Sequence, residues 1–187
     1  VLFRSMRDLN DESDPGFSEV LWQVIGAVVR PYVSWNKAAF LISEKGNNGK
    51  GTLLELMRNL LGTGYAVLPL ADLGKDFMLT SLLHASVILV DENDVGLYLE
   101  KLANFKTIVT NDILSINIKH RDPISHQFFG FMVQCVNEEP KTKDKSGSFY
   151  RRQLFMRFRK SFTGVERKYI KDEYLKRPDV LEYVLKR

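Results

Sequence analysis

At 187 residues the chain suits one domain around one core, and 44% hydrophobic and 27% charged residues are ordinary for a globular protein. No apolar run approaches the ~20 residues that span a bilayer, and no basic-then-apolar leader is visible, so a soluble chain without a membrane partner is expected. The single cysteine, Cys135, excludes an internal disulfide framework and a cysteine-based zinc site, and inside an apolar run it reads as a small core residue.

Charge is unevenly placed. Residues 141–187 hold 15 Lys+Arg against 6 Asp+Glu, a local +9; residues 1–140 hold 12 against 17, a local −5, for the net +4. A basic C-terminal part favours an anionic partner, nucleic acid above all, although a solvated helical face has the same composition. Both ends read as arbitrary, and the chain is expected to be a fragment; Val1 to Ser5 is expected to be non-native, because a common sequencing adapter encodes that string in one frame.

Residues 1–16 form a boundary segment, with Asn10 to Gly16 (NDESDPG) polar and turn-rich. Phe17 to Val29 carries apolar residues at helical spacing, with Asp14 or Ser18 as candidate cap and Pro31 as stop. Ala38 to Ser43 (AAFLIS) has the length and composition of a buried strand. A glycine-rich turn follows, and then an amphipathic helix from Lys50 to Leu61 that ends at Gly62. Ser86 to Val90 (SVILV) is a second apolar strand running into the acidic cluster DEND, and Leu97 to Phe105 is expected to be helical. Ile113 to Ile118 and Ile124 to Phe128 alternate apolar and polar on either side of KHRDP, the pattern of a β-hairpin. Gly130 to Val136 (GFMVQCV) is a third buried strand, halted by Asn137, and Gln153 to Phe158 a fourth. Strands without alternation, separated by helices, imply an α/β fold with a largely parallel central sheet. The core is expected over 17–162, followed by a basic helical segment over 163–187.

The stretch AAFLIS-EKGNNGKGT-LLELMRNLLG combines a buried strand, a glycine-rich turn and a helix that begins at the lysine. Backbone N–H groups of Gly46, Asn47, Asn48, Gly49, Lys50, Gly51 and Thr52 could then turn inward around phosphates, helped by the positive end of the helix. Lys50, expected to be solvent-facing, would reach the β- and γ-phosphates of ATP, and Thr52 offers a hydroxyl near magnesium. Two positions depart from the strict pattern: Glu44 stands where glycine is wanted, and Gly51 where Ser or Thr is wanted. The GKGT form also occurs in adenylate kinases.

SVILVDEND delivers two carboxylates to the carboxyl end of a strand, where open parallel sheets bind ligands. Asp91 would hold magnesium through water, and Glu92 would orient or deprotonate the attacking water. Asn93 and Asp94 read as turn residues. Asn137, ending the third strand, can both donate to and accept from a γ-phosphate or a lytic water. No metal-ligand spacing links His84 and His126, which read as structural or surface residues.

The ordered set resembles superfamily III helicases: GNNGKGT, a strand ending in Asp-Glu, a hairpin carrying Lys-His, a strand ending in Asn, then paired arginines before a strand. The phage and plasmid primase–helicase branch is the nearest, and the resemblance covers about residues 17–162. It implies an AAA+-like P-loop NTPase fold, ATP and Mg2+ as cofactors, and a homo-hexameric ring with its ATP sites between subunits. It also implies action on single-stranded or forked DNA in a bacterial host cytoplasm, with a fused or associated primase. Carried over by position, Lys50 is the phosphate-loop lysine, Asp91 and Glu92 the acidic pair, and Asn137 the sensor. Arg152, with Arg151 as fallback, matches the arginine that reaches a neighbouring subunit's γ-phosphate. Lys119 and His120 match the tip of the hairpin lining the family's channel, with Arg121 assisting at the DNA backbone. Two readings stay open beside this one. A P-loop nucleotide kinase is suggested by GKGT, and a DNA-binding module with a decayed ATPase by Glu44 and Gly51.

Overall fold

The computed structural model describes residues 9, 16–96, 98–99, 102–144 and 147–187. The expected α/β architecture is present. In chain order, α1 (Phe17–Val29) precedes β1 (Ala38–Ile42), α2 (Lys50–Leu61), β2 (Tyr65–Ala66) and β3 (Val87–Val90). Then come β4 (Tyr98–Leu99), α3 (Ala103–Val109), the hairpin β5 (Ile113–Ile118) and β6 (Arg121–Gln127), β7 (Phe131–Val136) and β8 (Lys141–Thr142). The chain closes with β9 (Gln153–Arg157), α4 (Lys168–Asp172) and α5 (Pro178–Lys186). The central sheet has the order β2-β3-β7-β1-β9, and every pairing in it is parallel.

Parallel strands buried on both faces explain the unalternated sequences VILV and FMVQCV, all of whose residues are buried. Successive residues serve opposite faces. Ala39 and Leu41 of β1, Leu89 of β3 and Val133 and Cys135 of β7 meet α1, α2 and the C-terminal residues Leu175, Val180 and Val184. Ala38, Phe40 and Ile42, with Ile88, Val90 and Met132, meet α3, the Leu68–Leu82 segment and the buried side of β5. The basic C-terminal stretch therefore contributes to the same core as the N-terminal helix.

Gly130 shows how closely the strands are packed. A Cβ there would stand 1.8 Å from the Ser86 carbonyl oxygen, so only glycine lets β7 begin against the start of β3.

Several sequence expectations need correction. The helix expected at Leu97–Phe105 is Ala103–Val109, because Leu102, Phe105 and Val109 supply the buried helical stripe. Tyr98–Leu99 instead pairs in parallel with Lys141–Thr142, and Leu97 lies outside the described residues. The first helix is capped by the backbone at Gly16 with no side-chain cap; Ser18 is inside the helix, and Asp14 lies outside the described residues, as do Val1 to Ser5. KHRDP is not all loop. The turn is Lys119-His120 alone, and Arg121 to Pro123 already belong to β6. His84 is exposed and His126 half-buried.

Candidate active site

The carboxyl ends of three adjacent strands, β3, β7 and β1, gather the candidate residues. After β1 the chain turns through residues 43–49 into α2. Asn48 shapes this turn: its side chain donates to the Lys45 carbonyl and accepts from the Lys50 N–H at 3.2 Å, and it is buried. Gly49 holds φ +89°, a left-handed backbone that favours glycine at the residue opening the helix. Asn47 is engaged elsewhere, donating to Glu166 Oε1 at 2.8 Å.

Lys50 corrects one expectation. It is only 8% exposed, with Nζ 3.5 Å from the Ser43 carbonyl oxygen. The cause is the turn itself, which folds the side chain back over the end of β1. Burial lowers its pKa below the ordinary lysine value, opposed by Cys135 and Asp91 as anions. Burial also pushes the Cys135 thiol up to about 12, so at neutral pH that thiol is uncharged and Asp91 is the effective counter-charge.

Asp91 and Glu92 emerge exposed at the end of β3, with Asp91 Oδ2 at 3.6 Å from Arg58 Nη1 on α2. Gly51 faces this carboxylate: a Cβ on it would lie 3.6 Å from Asp91 Oδ1. Among the described residues no group of three or more His, Cys, Asp or Glu could hold a metal ion by itself. One or two carboxylates beside open space instead suit a hydrated Mg2+ that takes its remaining ligands from phosphate oxygens. Asp91, with the Thr52 hydroxyl, suits that role and no free-standing metal centre.

Asn93 is not a turn residue. It is buried, accepting from the Leu70 N–H at 2.9 Å and donating to Gln134 Oε1 at 3.0 Å and the Cys135 carbonyl at 2.9 Å. Gln134, fully buried, donates in turn to the Leu68 carbonyl. This network pins the acidic turn to β7 and the Leu68–Leu70 strap. Asn137 follows β7 and is exposed, one strand from each of Lys50 and Asp91.

The other candidates lie at the opposite end of the sheet. Arg151 and Arg152 close a short 3-10 turn (Tyr150–Arg152) before β9, whose first residue is in register with Ala38 at the start of β1. Lys50 follows the far end of that strand, so about 15 Å of β1 separates the two positions at ~3.3 Å per residue. Arg152 Nη1 donates to the Ser148 carbonyl at 2.7 Å, while its Nε is buried with no hydrogen-bond partner among the described residues. Ser148 and Lys106 both bond Asp144 Oδ2, tying the turn to α3.

The hairpin joins the same end. Gln127 Nε2 donates to the Asn111 carbonyl and Asn111 Nδ2 to the Phe128 carbonyl, bracing its base just before β7. Leu114 and Ile116 anchor β5 in the core, leaving β6 largely exposed. Lys119, His120 and Arg121 are exposed at the tip, and His120 adopts φ +61°. Arg58, Asn93 and Gln134 were not singled out from the sequence: Arg58 reads as a surface residue of a helix, and a buried amide pair leaves no spacing signal.

The fold and this geometry define an α/β domain with a glycine-rich strand-to-helix turn at the carboxyl edge of a parallel sheet. Residues 41–152 match a family of unknown function (DUF5906), and the chain belongs to that family. No curated protein matches it. Among solved structures it is similar to the NrS-1 C-terminal region (305–718), with a TM-score of 0.66, 17% identity and 96% of this chain covered. It also resembles the JCV helicase, with a TM-score of 0.55, 16% identity and 95% of this chain covered. These likenesses establish a helicase-like fold. The chain spans 43% of the first of these structures and 50% of the second.

Proposed function

We propose that this chain is the ATP-hydrolysing motor of a DNA helicase, acting on single-stranded or forked DNA. The observation that carries the reading is the division of the sheet into two ends. Lys50, Asp91, Glu92 and Asn137 collect at the carboxyl ends of β1, β3 and β7, while the base of the hairpin and the arginine pair sit at the amino ends.

In this reading the backbone of Gly46 to Thr52 and the Lys50 ammonium hold the triphosphate of ATP. Bound Mg2+, held through Asp91 with Thr52 nearby, would neutralise phosphate charge. Glu92 accepts a proton from the attacking water, and Asn137 orients that water or the γ-phosphate. Arg152 cannot serve the Lys50 of its own chain across the length of β1. It is suited to a neighbouring copy in a ring, where a guanidinium steadies transition-state charge, with Arg151 beside it. A homo-hexamer and an associated primase follow from the same resemblance.

At the hairpin tip, Lys119 and Arg121 meet backbone phosphates, and His120 stacks or hydrogen-bonds without reading sequence. The left-handed backbone at His120 supports this role. A non-glycine residue there costs roughly 1–2 kcal/mol, a strain more often retained where a side chain is used.

DNA-stimulated ATP turnover tests the proposal. A motor hydrolyses ATP slowly alone and faster with single-stranded DNA. A nucleotide kinase would instead turn over only with a second nucleotide, and a decayed module would bind DNA without turnover. Either of those results rejects the motor.

A further inference from the structure

The phosphate loop is covered by a part of the chain that the functional reading leaves unused. Between the 47–56 stretch and residues 162–175 lies a cavity of about 640 Å³, within the range of small-molecule sites. Its outer wall is tied down at both ends. The Phe162 N–H donates to the Asn47 carbonyl at 2.7 Å, Glu166 accepts from the Asn47 side chain, and Asn59 of α2 donates to the Leu175 carbonyl at 3.1 Å. The wall brings Arg167, Lys168 and Lys171 to the cavity, while the carboxylate of Glu166 is occupied by Asn47 and the Gly164 N–H.

One of these cations reaches furthest into the site. A Cβ built on Gly51 would lie 3.8 Å from Lys171 Nζ and 3.6 Å from Asp91 Oδ1. The residue that departs from the strict phosphate-loop pattern thus opens a space shared by a lysine ammonium and the acidic strand end. A second ammonium beside Gly51, next to the loop that carries Lys50, is placed for an anion that also approaches the loop N–H groups. We infer that Lys171 is a second, cis-acting ligand of the nucleotide's phosphate chain, delivered by the C-terminal segment into the space that Gly51 leaves open. This rests on the assignment of the loop as a nucleotide site and adds to it a phosphate-binding residue outside the phosphate-loop motif.

The test uses the whole 187-residue chain and measures ATP, ADP and adenosine binding by displacement of a fluorescent nucleotide, for the parent, Lys171→Ala, Lys171→Arg and Lys50→Ala. Lys171→Ala should weaken ATP about tenfold or more, ADP less, and adenosine not at all, as loss of a charge-assisted phosphate contact requires. Lys171→Arg should restore most of the loss. Parental ATP affinity in Lys171→Ala overturns the inference, and so does an equal loss for all three ligands, which would mark Lys171 as a structural residue. If Lys50→Ala loses ATP binding while Lys171→Ala does not, this inference alone fails. If Lys50→Ala binds ATP like the parent, the nucleotide-site assignment itself fails and takes the inference with it.

Discussion

Replacing Asn93 by alanine should destabilise the chain far more than an acidic-turn residue ordinarily would. Its side chain has three buried partners, the Leu70 N–H, Gln134 Oε1 and the Cys135 carbonyl. Truncation removes all three bonds in a place where Asn93 is 5% exposed and Gln134 fully buried. At about 1 kcal/mol for each buried group left unmade, the low end of the usual range, the cost is roughly 3 kcal/mol. For a chain of this size that lowers the melting temperature by roughly 6–12 °C. Asn93→Asp is the informative companion. It keeps an acceptor for Leu70 but turns a carboxylate oxygen towards two other oxygens, so it should be no more stable than the alanine variant above pH 6. Thermal melts followed by circular dichroism would read both. A drop under about 2 °C for Asn93→Ala, or parental stability for Asn93→Asp, would refute the bookkeeping and leave the turn held by something else.

Lys50→Ala should abolish ATP turnover. Because the ammonium is buried and its folded pKa is lowered, the isosteric Lys50→Met should not lower the melting temperature of the nucleotide-free chain at neutral pH. The sign follows from linkage: a lowered folded pKa means the charged form opposes folding below that pKa. The advantage of Met should therefore shrink as pH rises through the folded pKa towards 10.5, and a melting difference that grows instead would contradict it. Lys119→Ala with His120→Ala should weaken single-stranded DNA binding and abolish unwinding while DNA-independent turnover persists. A binding curve whose salt slope matches the parent's would show that no phosphate contact had been lost. Arg152→Ala should lose ~10³–10⁵ in rate within assembled rings and regain some activity when mixed with Lys50→Ala, whereas the double variant stays silent. Mixed rings that form and remain inactive, with Arg152→Ala alone at parental turnover, would remove the arginine from the site.

Much of this architecture was legible in the residue order because its signals are local. Helix α1 and helix α2 fall where apolar spacing puts them, and β1, β3, β7 and β9 within a residue of their apolar runs, since a doubly covered parallel strand must be continuously apolar. The glycine-rich turn and the Asp-Glu strand end were likewise visible, because a tight strand-to-helix turn demands glycine and an acidic pair stands out at the end of an apolar run. Only the tertiary structure decided how those pieces meet. Strand order placed β7 between β1 and β3, and so brought Asn137 between Lys50 and Asp91; nothing within β7 itself encodes its neighbours. It buried Lys50 and turned Asn93 from a turn residue into the centre of a buried amide network, because burial depends on chain segments dozens of residues away. It also laid residues 162–175 over the glycine-rich turn and carried Lys171 to Gly51. A contact across 120 residues leaves no periodicity for a sequence to display.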